Sequence, residues 1–303
     1  LDRLDLLHDS DGARCAFPAG FTGRDGGHHP IIVRKRDGGF GYGATDLAAI
    51  RYRTREIGAT RLLYVIGSPQ RQHLEMVFQS AREAGWLTAP ARAEHVAFGQ
   101  VLGADGRRFA SRAGETIKLI DLLEEAAARS AVLVADANPD LDAPTRATVA
   151  KAVGIGAIKY AELASDRLND YVFDWDRMLS FHGETGAYLQ MAHARIQSIL
   201  GKAGVAAEYQ AAFGLGEPAE RALALELLAF PAVVDEVAGT LRLHRLSGHL
   251  QAVAGAYTTF YEQCPVLRAA GAVRASRLAL CALTGRVLAT GLGLLGIQAP
   301  SRM

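Results

Sequence analysis

From Pro30 onward the chain alternates short extended apolar runs with stretches of helical spacing, and the two patterns take turns through its first half. Residues 31–35, Ile31-Ile32-Val33-Arg34-Lys35, read as a strand. The turn Arg36-Asp37-Gly38-Gly39 follows, and its Asp-Gly step is a strong hairpin signal. A second extended piece runs through Tyr42. The pattern then predicts a helix over 46–56 with Leu47 and Ile50 inward, a strand over 61–67, a helix over 70–84 and a strand over 94–102. Strands alternating with helices of this length imply a parallel sheet. Residues 1–30 hold Asp, Gly and His in loop-like clusters, broken by Pro18, Gly20, Gly23, Gly26 and Gly27, so no element is predicted there.

Residues 103–114 form a basic, glycine-bounded loop; a helix is predicted over 116–128, and 132–138 is a short apolar stretch before Asn138-Pro139. Beyond Pro144 helical spacing dominates, over 143–153, 156–163, 186–200, 217–228, 231–241, 243–263 and 273–295. The predicted class is therefore α/β followed by all-α. The first domain spans 1–180, including an acidic and aromatic connector at 171–179, and a helical domain spans 181–303.

Composition agrees with a globular chain: half of the 303 residues are hydrophobic and the net charge is +1. The reading finds no apolar run of the ~18–20 residues a membrane span needs and no leader, so a cytoplasmic protein without a membrane partner is expected. The chain starts at Leu1 and closes on Pro300-Ser301-Arg302-Met303, which reads as a natural terminus on a protein missing its front. Cys15, Cys264 and Cys281 are far apart and form no CxxC pair, so neither disulfide nor zinc is expected. His28 and His29 are adjacent and read as loop histidines; no metal site is predicted. Charge is uneven: residues 241–303 carry seven arginines and one carboxylate, Glu262, a bias that suits either a solvated face or a phosphate-bearing partner.

Candidate chemistry gathers between Gly39 and His73. Asp46 and Gln70 each stand where a helix is predicted to begin, which fits helix capping. It also fits a crevice where Tyr42, Asp46 and Gln70 grip a planar cation, since a guanidinium fork suits a carboxylate bidentately. The loop Arg107-Arg108-Phe109-Ala110-Ser111-Arg112-Ala113-Gly114 reads either as a basic surface loop or as an anion cradle. His73 and His95 read as partly buried structural histidines.

Ordered segments then narrow the choice: IVRKRDGGFGYGATDLAAIRYR, LLYVIGSPQRQHLEMVF, EHVAFGQVLGADGRRF, RAGETIKLIDLLEEA, VGIGAIKYAELASDRLNDYVFDWDRMLSF, TGAYLQMAHARIQSI and YEQCPVLRA, with the terminal PSRM. Over nearly the whole chain they resemble the C-terminal part of a bacterial arginyl-tRNA synthetase, a class I aminoacyl-tRNA synthetase. The resemblance implies the second half of a Rossmann-type parallel-sheet catalytic domain joined to an α-helical anticodon-binding bundle. It implies an arginine–tRNA ligase that uses ATP as substrate with Mg2+ and acts on L-arginine and tRNA(Arg), a monomer at full length. Tyr42, Asp46 and Gln70 match the positions that hold the arginine side chain, with Asp46 on the guanidinium. His73 falls in the segment near ATP. Arg108, Ser111 and Arg112 lie in the second class I signature, with catalytic and ATP-phosphate roles. Tyr188, Gln190, His193 and Arg195 in the bundle's first helix, with terminal Arg302 and Met303, correspond to tRNA contacts.

Departures from the family pattern are equally specific. Ala110 stands where Lys or Ser is common, Glu184-Thr185-Gly186-Ala187-Tyr188 replaces Asn-Thr-x-Pro-Tyr, and Met191 replaces a frequent Tyr. The 303 residues contain no His-x-Gly-His, the first class I signature. The chain alone is therefore expected to be inactive, and a truncated paralogue that binds tRNA or a protein without catalysis is the competing expectation.

Overall fold

The computed structural model describes residues 1–23, 26–103, 106 and 118–303, which fall into two units, Leu1–Gly99 and Gln100–Met303. The first unit opens with three antiparallel strands, β1 (His8–Ser10), β2 (Ala13–Ala16) and β3 (Ile31–Arg34), in the order β1-β2-β3. The first two lie where only loop was expected. Ser10 pairs with Ala13 across Asp11 and Gly12, whose φ values of 49° and 76° match a two-residue hairpin turn. The Asp-Gly signal was present at 11–12, but strands of three and four residues are too short to show alternation. The predicted turn at 36–39 forms: the Lys35 amide donates to the Gly39 carbonyl at 2.8 Å, and Arg34 bridges Phe40.

Helix α1 (Tyr42–Arg55) begins four residues before its predicted start; β4 (Arg61–Gly67) follows, and α2 (Arg71–Glu83) leads to β5 (Arg92–Phe98). Strands β4 and β5 pair in parallel, with Leu62 opposite Ala93 and Tyr64 opposite His95. One face of β4 sends Leu62 and Tyr64 into a core with Leu47 and Ile50 of α1 and Leu74, Val77 and Phe78 of α2. Leu63 and Val65 on the other face are exposed. Such a run, apolar on both faces, is the mark of a strand built for a parallel sheet.

In the second unit the remainder of the predicted 94–102 strand is separate: β6 (Val101–Leu102) pairs in parallel with β7 (Tyr171–Val172), so the connector supplies a strand and then a short helix, α5 (Trp175–Leu179). Helix α3 (Leu119–Ala137) absorbs the apolar stretch at 132–138. Helix α4 (Ala143–Ala164) is continuous where two helices were expected. The apparent break at Gly154 and Gly156 is a packing feature. A Cβ on Gly154 would lie 2.5 Å from the Ala126 backbone of α3, and one on Gly156 would lie 2.9 Å from Gln190 Nε2.

The bundle comprises α6 (Gly186–Ala203), α7 (Pro218–Thr240), α8 (Leu243–Gln263) and α9 (Gly271–Leu294) around a core that includes Leu223, Leu250, Tyr257, Phe260 and Leu288. Helix α7 runs through Pro231, where sequence spacing predicted two helices. A buried ion pair ties α7 to α9: Arg277 Nε donates to Glu220 Oε1 at 2.7 Å, with side chains 12% and 2% exposed. Against the sequence expectation, α9 is long and apolar enough by length and composition to cross a membrane, with 61% of that window buried within the protein. The boundary predicted at 180/181 follows the change in periodicity. The compact units divide at 99/100, because α3 packs on α4 and α4 on α6 and α8. All three cysteines are buried and unpaired.

Candidate functional site

The glycine-rich stretch before α1 is set by close approach. A Cβ on Gly43 would fall 2.4 Å from Ile31 Cγ2 and 3.2 Å from the Ile32 carbonyl, so the first turn of α1 fits against β3 only with glycine there. The helix starts at Tyr42 behind an extended Gly41. Tyr42 and Asp46 are consequently four residues apart on one helical face. Tyr42 is 87% exposed. Asp46 is one full turn inside the helix, and no acidic residue occupies the first turn. Its carboxylate is thus not an N-cap, which removes the bland reading that the sequence left open.

The second side of the site comes from the β4–α2 junction. After Gly67 a single 3-10 turn, Ser68–Gln70, leads into α2, and Ser68 Oγ donates to the Phe98 carbonyl at 2.9 Å. Gln70 occupies the N-cap position of α2 without a side-chain capping bond, and it is exposed. His73, three residues further on, reaches across to α1: its Nε2 lies 2.7 Å from Asp46 Oδ2, with the two side chains 33% and 34% exposed. The four polar residues therefore come from two helix starts joined at one contact. Tyr64 lies in the core beside them, within electrostatic reach of Asp46. Burial, together with the Asp46 charge and against Arg53, raises its phenol above the ordinary value. Arg53, two turns along α1, donates to the Tyr64 hydroxyl at 2.9 Å. His95, read as structural, makes a 2.8 Å contact to the Ile66 carbonyl across the sheet.

Arg108, Ser111 and Arg112, with the rest of the loop at 107–114, lie outside the described residues. Among the described residues no three His, Cys, Asp or Glu converge on a point where a metal could sit.

In the second unit, Thr185 caps α6: its Oγ1 accepts from the Tyr188 amide at 3.1 Å and donates to the Ser180 carbonyl at 2.6 Å. The residues expected to meet tRNA then separate into two groups. Gln190 is fully buried and donates through Nε2 to the Ala152 carbonyl at 3.1 Å and the Gln298 carbonyl at 2.7 Å. His193 is buried, with Nδ1 2.9 Å from the Pro300 carbonyl and Nε2 3.2 Å from the Gln197 amide nitrogen. A carbonyl only accepts, so Nδ1 carries the proton and Nε2 accepts from Gln197. Burial lowers the His193 pKa from its ordinary value, with the Pro300 bond opposing. These two side chains hold the C-terminal tail and are turned away from solvent.

Arg195, Arg302 and Met303 form the other group. They line an open cavity of about 660 Å³ with Asn138, Met191 and Ser198, and Arg195 and Arg302 are exposed. Arg195 also lies 5.9 Å from the Tyr261 ring centroid. Tyr188 is half-buried, its hydroxyl 3.0 Å from Thr258 Oγ1. Asn138, read from sequence only as punctuation before a proline, donates to the Met303 carbonyl at 2.9 Å. With 165 residues between the partners, no local pattern could have marked it.

Comparison with known proteins divides the chain later than its compact units do, between residues 175 and 189. Residues 1–175 match the catalytic domain of class I tRNA synthetases (R), and residues 189–303 match the DALR anticodon binding domain. An arginine–tRNA ligase of Frankia casuarinae is 53% identical over 304 residues, covering all of this chain and 52% of its own length. One of Thermobifida fusca is 52% identical over 296 residues, covering 97% of this chain and 51% of its own length. The chain thus spans about half the length of the curated relatives it matches. Among solved structures, arginyl-tRNA synthetase of Thermus thermophilus aligns with a TM-score of 0.85 at 27% identity, over all of this chain and 56% of that one. The Plasmodium falciparum enzyme aligns at 0.82 and 27%, over all of this chain and 51% of that one.

Proposed function

The chain belongs to the arginyl-tRNA synthetase family of class I tRNA synthetases, and from that premise we propose that it carries the side-chain-recognising part of an arginine–tRNA ligase together with its tRNA-facing bundle. In the proposed reaction the arginine carboxylate attacks the α-phosphate of ATP. The bond to the β-phosphate bridge breaks, and pyrophosphate leaves arginyl-adenylate. A hydroxyl of the terminal ribose of tRNA(Arg) then attacks the activated carbonyl and releases AMP.

The observation that carries the reading is Asp46: a carboxylate one turn inside a helix, uninvolved in capping, with exposed Tyr42 four residues before it on α1 and exposed Gln70 three residues before its partner His73 on α2. A guanidinium offers paired donors to such a carboxylate, whereas a lysine ammonium offers a point charge. Asp46 is assigned to the guanidinium, and Tyr42 and Gln70 to its flanks. Arg108, Ser111 and Arg112 are assigned to charge on the ATP phosphates, where oriented donors would act during adenylation. Mg2+ would enter on the ATP triphosphate, the usual way this ion reaches a phosphate site. Arg195, Arg302 and Met303 are proposed as the tRNA-facing set, and half-buried Tyr188 as a further tRNA contact.

A second reading is that these 303 residues, which contain no His-x-Gly-His, bind their partners without catalysing on their own. Positioning and electrostatics supply most of the acceleration in phosphate chemistry, so loss of that element is expected to be severe. Arginine-dependent ATP–pyrophosphate exchange by the 303 residues alone tests that second reading. No exchange is expected from the isolated chain; robust exchange would place a sufficient catalytic set within these residues and discard the second reading.

A further inference from the structure

We propose that His73 is a positioning residue for the arginine site, holding the Asp46 carboxylate by one oxygen and so fixing the plane that a guanidinium meets. The inference deepens the assignment of Asp46 made above and rests on it. The contact is 2.7 Å long and joins side chains 27 residues apart, from two different helices. An ionised carboxylate can only accept, so the shared proton sits on Nε2 of the imidazole. That nitrogen is thereby committed to Asp46, which assigns His73 to the amino-acid side of the site and not to ATP.

Competing partners for Asp46 are absent among the described residues. No backbone amide of the first turn uses it as a cap, and no lysine or arginine forms an ion pair with it. Of the arginines on its own helix, Arg53 donates to the Tyr64 hydroxyl and lies 5.3 Å from the Tyr64 ring centroid, and Arg51 lies 5.9 Å from that of Trp86. His73 takes Oδ2, leaving Oδ1 and the second lone pair of Oδ2 for a ligand.

An aspartate side chain otherwise rotates broadly about its last torsion. A bidentate fork binds well only when that plane is already set, because freezing it on binding costs affinity. An ammonium depends far less on the carboxylate plane. His73 therefore contributes to arginine-over-lysine discrimination, and not merely to retention of a cation.

The test is titration of L-arginine and L-lysine into the 303-residue chain, followed by NMR chemical shifts into the tens of millimolar. In His73→Leu the arginine dissociation constant should rise about tenfold, the scale of one charge-assisted hydrogen bond, while weak lysine binding and the melting temperature stay as in the parent. His73→Gln, whose amide can donate to the same oxygen, should restore most of the arginine affinity. Unchanged arginine affinity in His73→Leu beside a weakened Asp46→Asn overturns this inference alone, as does loss of ATP binding with arginine binding intact. A parent chain that binds no arginine, or an Asp46→Asn variant that binds it as the parent does, overturns the underlying assignment of the site.

Discussion

Gln190 donates from one buried amide nitrogen to the carbonyls of Ala152 and Gln298, 3.1 Å and 2.7 Å away, so a single side chain of α6 joins α4 to the C-terminal tail. His193, three residues along the same helix, adds the Pro300 carbonyl, and Asn138 adds that of Met303. The tail is thus held through its main chain while Arg302 stays exposed.

Removing that clamp should release the tail without touching any tRNA-facing side chain. Gln190→Ala is expected to cost about 1–3 kcal/mol of stability, since it removes two hydrogen bonds made by a fully buried side chain, and to make Met303 and Arg302 more susceptible to carboxypeptidase. If the tail presents Arg302 to tRNA(Arg), filter-binding affinity should fall along with it. A freed tail with unchanged tRNA affinity would separate Arg302 and Met303 from the RNA surface.

His193 makes the same attachment depend on pH. Its bonds require the neutral ring, protonated on Nδ1 and accepting on Nε2, and burial lowers its pKa below the ordinary 6.5. Between the folded value and 6.5 the unfolded chain binds more protons, so stability rises with pH through that window and is lost as pH falls below about 6.5. Urea midpoints measured from pH 5 to 8 should drop toward the acid end in the parent. The acid-side drop should be shallower in His193→Asn, which keeps a donor to Pro300 but does not titrate. Parallel profiles would exclude His193 as the source.

Glycine substitutions in two helices should carry opposite signs. A Cβ on Gly154 meets the Ala126 backbone at 2.5 Å, and backbone cannot move aside as a flexible side chain can. Gly154→Ala is therefore expected to destabilise by about 1–3 kcal/mol. In α8, a Cβ on Gly248 meets nothing within 4 Å, so Gly248→Ala should stabilise by about 0.4–1 kcal/mol through the unfolded state. Chemical denaturation reads both; equal shifts would contradict the close packing of α3 on α4.

The same glycine shows where sequence reading succeeds and fails. Long apolar periodicities marked α2 and α8 within a residue or so, because their buried faces repeat over several turns. Helices α4 and α7 were split at Gly154, Gly156 and Pro231, residues whose local propensity says "stop" and whose tertiary setting overrides it. The polar residues of the candidate site were visible from Tyr42, Asp46 and Gln70, yet their non-capping state was not, since it depends on where α1 begins against β3. Nor was the Asp46–His73 contact, which only the crossing of α1 and α2 creates. Gln190 and His193 carry the pattern of tRNA-contacting positions in the resemblance, but burial gives them another task here.

The arginine assignment itself is best tested where catalysis is possible. Joined to the remaining half of the Thermobifida fusca relative, which is 52% identical where the two overlap, the chain should take part in arginylation of tRNA(Arg). In that chimera Asp46→Asn keeps the size of the side chain and removes its charge. The substitution exchanges a charge-assisted fork for at best one neutral acceptor, a loss of about 2–3 kcal/mol. The Michaelis constant for arginine should therefore rise roughly 30- to 150-fold, by the relation of 1.4 kcal/mol per decade, while that for ATP stays within about twofold, because uniform binding of one substrate is what the change removes. An arginine constant unchanged in Asp46→Asn would strike the carboxylate from the recognition set. Equal rises for arginine and ATP would instead point to a general disturbance of α1, the helix that Gly43 seats against β3.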